Sequence, residues 1–129
     1  MTGKDEIESF LDRLDGGNAE VREVQPGLWM VRSNGSQVAV SYAPPVLILR
    51  VDVMPVPSSA ARQAELFRRL LEYNARDLVH GAYGLEGDRV VLTDTLELEN
   101  LDYHEFEASF DSLTLALASH LGALAPYRE

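Results

Sequence analysis

Apolar positions recur along this chain at two periods, three-to-four and two, and the switches between them mark its elements. The broadest helical pattern is SSAARQAELFRRLLEYN, Ser58 to Asn74. Ala60, Ala64, Phe67 and Leu71 recur at steps of three or four, and Leu66, Leu70 and Tyr73 widen the stripe past half the circumference. Ser58 or Ser59 can cap its start by accepting a bond from a free backbone N–H. Arg62, Arg68, Arg69 and Glu72 fill the remaining sector, and Asn74 reads as a stop because Asn tolerates a left-handed backbone. So wide a stripe predicts burial on two sides. One side covers a sheet; the other goes into the same core or against a second copy of the chain.

A narrower helical stripe opens the chain. Ile7, Phe10, Leu11 and Leu14 fall at i, i+3, i+4 and i+7 within Lys4–Asp15, with Asp5, Glu6 and Glu8 early and Gly16-Gly17 as the stop. Period two then takes over. Val21–Gln25 reads as a short strand broken by Pro26-Gly27, and Leu28–Ser33 and Gln37–Tyr42 flank Asn34-Gly35, a strong hairpin signal. Val38, Val40 and Tyr42 share one face. After Ala43-Pro44-Pro45, the strand VLILRVDVM puts Leu47, Leu49, Val51 and Val53 in one row.

Beyond the central helix, Leu78–Leu85 reads as a strand rich in small residues, Glu86-Gly87-Asp88 as a tight loop, and Arg89–Leu98 as the return strand. Asp94 interrupts the apolar row Val90, Leu92, Leu96, Leu98, which predicts a bulge or an open patch there. The last helix has the clearest punctuation. Asp102 and Glu105 form a capping box, Leu101 and Phe106 a hydrophobic staple, and Phe106, Phe110, Leu113, Leu117 and Leu121 a stripe ending at Gly122. The tail from Ala123 is expected to fray. The fold class is therefore α+β, an antiparallel sheet with the order α-β-β-β-α-β-β-α and helices packed on it, in a single domain over 1–129.

Composition narrows the function. The formal net charge is −10, which repels phosphate backbones and anionic lipid, so neither nucleic acid nor membrane is an expected partner. The N-terminus MTGKDEIESF lacks the apolar core of a secretory signal, and a cytoplasmic location fits the lack of cysteine. His80, His104 and His120 have no metal-ligand spacing, and no phosphate loop or nucleophile elbow occurs. No cofactor is expected, and no catalytic set is assembled.

In this order of elements stand Leu70-Leu71-Glu72-Tyr73-Asn74, Gly81-Ala82-Tyr83-Gly84-Leu85, Gly87-Asp88-Arg89-Val90-Val91-Leu92, and Leu96-Glu97-Leu98-Glu99-Asn100-Leu101-Asp102. With them the chain resembles the type III secretion chaperones of the Tir-chaperone type and the related YbjN-like family, both bacterial. The resemblance implies a homodimeric, non-enzymatic protein that holds an extended polypeptide segment of a partner in apolar grooves. The grooves would be built from Ile7, Phe10, Leu11 and Leu14 with Trp29 and Met30, and the dimer contact from Leu66, Leu70 and Tyr73. The alternative is a regulatory domain that binds a small molecule in a pocket lined by the glycine-rich strand Gly81 to Gly84.

Overall fold

Six antiparallel strands in the order β1-β2-β3-β4-β6-β5 form one sheet in the computed structural model, which describes residues 1–128. The elements are α1 (Lys4–Arg13), β1 (Glu20–Gln25), β2 (Leu28–Ser33), β3 (Ser36–Ala43), β4 (Val46–Pro55), α2 (Ala60–Arg76), β5 (Ala82–Glu86), β6 (Arg89–Glu97) and α3 (Tyr103–Leu124). The α+β class and the antiparallel sheet are as expected, with Val21–Gln25 realised as a full first strand. The hairpin at Asn34-Gly35 forms where the sequence predicts it, both residues taking positive φ, 51° and 81°.

Burial alternates along β2, β3 and β4. Trp29, Val31, Val38, Val40, Leu47 and Leu49 are buried on one face and share a core with Phe106, Phe110 and Leu113 of α3. The opposite face carries Met30, Ala39, Ile48 and Arg50, all part-exposed. This is the period-two pattern of a sheet covered on one side.

Three local expectations are corrected, and at Asp94 the bulge is not the alternative that is realised. Asn74 does not stop α2, which runs on to Arg76, so the strand expected from Leu78 begins only at Ala82. Gly122 does not stop α3, because Leu124, two residues on, is fully buried and offsets the roughly 1 kcal/mol that a helical glycine costs. The tail does not fray at once: Tyr127 is buried, Arg62 Nη2 donates to the Pro126 carbonyl, and the Arg62 guanidinium lies 5.2 Å from the Tyr127 ring centre. Asp94 sits on the inward face without a bulge, and the Ser109 hydroxyl donates to it at 2.6 Å. The bulge lies instead at Val53, between the pairs Asp52–Val91 and Met54–Val90, and brings Met54 into the core.

Candidate partner-binding site

The stripe of α1 is used mainly inside the molecule. Ile7, Leu11 and Leu14 are buried, and Phe10 packs edge-on to Tyr103 and tilted on Phe106, each at 5.9 Å between ring centres. Trp29 is buried and Met30 half-buried on the other face of β2. The expectation that all six side chains open onto a groove is therefore corrected. A helix with one apolar stripe spends it in docking on α3 and the sheet, and only the edges of Leu11, Trp29 and Met30 reach a surface groove. On α2, Leu66 and Leu70 are buried in the core of the single chain, and Tyr73 stacks flat on His120 at 3.6 Å. The surplus apolar surface that suggested a second copy at these residues is covered by the chain itself. Of the stripe, Ala60, Ala64 and Leu71 are left exposed, and Leu71, at 66%, is the one large side chain among them.

The two ends of the sheet differ. The β5 edge is capped at Tyr83 by one side chain. The Tyr83 N–H donates to Asn74 Oδ1 at 2.7 Å, and Asn74 Nδ2 donates back to the Tyr83 carbonyl at 3.1 Å, so a helical amide stands where a further strand would pair. The β1 edge has no such cover. All six of its residues are exposed, and among the described residues its backbone pairs with β2 alone. An exposed row of unpaired N–H and C=O groups is a template for an added strand.

Grooves flank this free edge on both sides. Directly opposite residues share a face, so Val21 and Glu23, opposite Val31 and Trp29, lie on the helix side. There a groove of about 240 Å³ has Leu11, Val21 and Trp29 as its floor and Glu8, Asp12 and Glu23 as its rim. Glu23 is tied down: Lys4 Nζ lies 3.1 Å away and the Gly27 N–H donates to it, and both bonds hold its carboxyl below the usual carboxylate range. On the uncovered sheet face, a second groove of about 350 Å³ lies against Met30 and Gln37, with Glu20, Arg22 and Arg32 around it.

Asp77, His120 and Tyr83 form a third cluster at the far end. Tyr83 Oη lies 2.7 Å from His120 Nδ1, and His120 Nε2 lies 3.0 Å from Asp77 Oδ2. The connectivity is that of a nucleophile relay, but its chemistry is not. Burial pushes the Tyr83 phenol well above its ordinary value, so the hydroxyl is held neutral rather than activated. The cluster joins the end of α2, α3 and β5. His80 and His104 stand apart from it, and among the described residues no three acidic or imidazole groups converge as a metal site needs. No helix among them is long and apolar enough to cross a membrane.

The glycine-rich strand is a packing device at Gly81. An added Cβ there would meet the Thr93 carbonyl at 2.6 Å and Leu113 Cδ2 at 2.7 Å, so the space a small-molecule pocket would need is filled by α3 and β6.

Solved structures with this arrangement of strands and helices define the class, the type III secretion chaperone-like fold. The Yersinia pestis type III secretion chaperone SycH, crystallised with a stable fragment of YscM2, superposes with a TM-score of 0.62 at 15% identity, over 89% of this chain and 96% of that one. A chain of the heterodimeric ExoU–SpcU complex from the type III secretion system of Pseudomonas aeruginosa gives 0.61 at 18% identity, over 95% and 98%. YbjN from E. coli gives 0.67 at 14% identity, over 94% and 93%. The sequence places the chain within that class: it belongs to the CesT_Tir_1 family, whose model matches residues 2–129. No curated protein matches it in sequence.

Proposed function

We propose that this chain is a non-enzymatic, chaperone-like module of the cytoplasm that holds a partner polypeptide in extended form along the free edge of β1. The observation that carries the reading is the contrast between the two sheet edges. Asn74 caps the short β5 edge at Tyr83, while the β1 edge is open along its whole length and flanked by grooves on both faces. A strand laid there gains main-chain hydrogen bonds, and its alternate side chains enter the two grooves. Membership of the CesT_Tir_1 family supports the same reading, as do relatives crystallised with protein partners.

The test is binding of synthetic peptides of about ten residues, long enough to match one strand. Fluorescence anisotropy should report saturable binding, and hydrogen exchange should slow at residues 20–25. Val21→Asp, which puts a carboxylate beside the apolar floor, should weaken binding about tenfold with the melting temperature unchanged. Peptides that protect some other element, or none that bind at concentrations of about 1 mM, would remove the proposal.

A homodimer belongs to the same reading. Among the exposed apolar side chains we assign Leu71 of α2 and Leu85 of β5 to the contact with a second copy, since they are exposed by 66% and 52% on elements joined through Asn74 and Tyr83.

A further inference from the structure

The free edge of β1 is electrostatically two-sided. On the uncovered sheet face, Arg22 lies opposite Met30, and Arg32 opposite Glu20. Neither Arg22 nor Arg32 makes an ion pair among the described residues. The other two arginines of this face are engaged: Arg50 with Glu86 at 3.1 Å and Arg89 with Asp52 at 2.9 Å. Two uncommitted guanidiniums therefore stand beside the open edge of a chain whose net charge is −10. On the helix side of the same edge the charges are reversed. Glu8, Asp12 and Glu23 rim the apolar floor, and Asp12 pairs with nothing among the described residues.

A strand added to β1 presents successive side chains to these two faces in turn. We infer that the polypeptide held at this edge is one whose residues alternate, with carboxylate side chains facing Arg22 and Arg32 and apolar side chains facing Leu11, Val21 and Trp29. The reverse arrangement is penalised twice. It sets carboxylates against the acidic rim and leaves Arg22 unmatched, Arg32 already having Glu20 opposite it. Charges of like sign set opposite each other on neighbouring strands destabilise the pair, and opposite ones stabilise it. The edge thus selects an orientation and a side-chain pattern, as well as extended backbone. This inference rests on the strand-binding reading above.

The overall charge of the molecule ranks ligands in the opposite order, since an acidic protein attracts basic peptides. At physiological salt, fields from exposed charges decay over about 8 Å, so the side chains at the edge decide. Two synthetic peptides separate the cases, one alternating valine with glutamate and one alternating valine with lysine, each titrated against the full chain. The expected result is a preference of about fivefold or more for the glutamate peptide, shrinking at high salt, with slowed exchange at residues 20–25. The double variant Arg22→Glu, Arg32→Glu, both exposed positions, should reverse the order; because Arg32 stands opposite Glu20, its melting temperature should fall slightly while the domain stays folded. Equal affinities, a lysine preference in the parent, or an order unchanged in the double variant would overturn the charge readout. If residues 20–25 are still protected in those cases, strand binding itself stands. Failure of both peptides to bind would overturn both readings.

Discussion

Single side chains decide what three parts of this molecule can do. Asn74 is the first. Inside α2 its carboxamide makes the two bonds that a neighbouring strand would otherwise make with Tyr83. Read along the sequence, Asn at the end of an apolar stripe signals a stop, and nothing local distinguishes that from an edge cap. Gly81 is the second. Its φ of 79° and the contact an added Cβ would make with the Thr93 carbonyl leave room only for hydrogen. Gly81→Ala should therefore cost about 3 kcal/mol or more in urea unfolding, from strain and overlap together. Tyr83 is the third. Burial raises its phenol, so the stability it confers is complete below the ordinary tyrosine value and is lost as pH climbs above about 10. Tyr83→Phe should lower stability at neutral pH by about 1 kcal/mol, through the bond lost to His120, and flatten the alkaline limb of the stability–pH curve.

At the level of elements, α2 shows how far a stripe can be read. The apolar sector that seemed too broad for one sheet is met by the sheet and by α3, whose His120 stacks on Tyr73, while Arg62 of the polar sector ties the helix to the chain end at Pro126 and Tyr127. The periodicity located the helix to within two residues at each end and identified Leu66 and Leu70 as buried. It could not say what would bury them, because a stripe records only that a face is apolar. Neighbouring substitutions separate inward from outward positions. Leu70→Asp buries an unpaired carboxylate and should cost several kcal/mol, of the order of the whole stability, whereas Leu71→Asp should stay within about 0.5 kcal/mol, both by chemical denaturation. The capping box of α3, in which Asp102 accepts from the Glu105 N–H at 2.8 Å, was legible outright because it is local.

The whole molecule is a one-sided sheet with one capped edge and one open edge, and its partners follow from that asymmetry. If a second copy docks at Leu71 and Leu85, sedimentation at tens of micromolar should give a dimer, and Leu71→Asp with Leu85→Asp should return it to monomer without unfolding it. A monomeric parent at those concentrations would leave the polypeptide edge as the remaining contact surface. The net charge of −10 described the surface as a whole and misses the pair Arg22 and Arg32, because a sum over the chain carries no positions.

The alternation of apolar and polar residues, the hairpin at Asn34-Gly35 and the cap at Asp102 were enough to determine three helices and five of the six strands in their order, with Val21–Gln25 read only as a short segment outside that order. Each depends on residues within a few positions of one another, where backbone geometry sets the spacing. Only the tertiary structure decided which sheet edge is free, that Leu66 and Leu70 are covered within one chain, and that Gly81 is a packing site. Those facts depend on contacts such as Asn74 with Tyr83 and Gly81 with Leu113, which form when elements pack and leave no periodic trace along the chain.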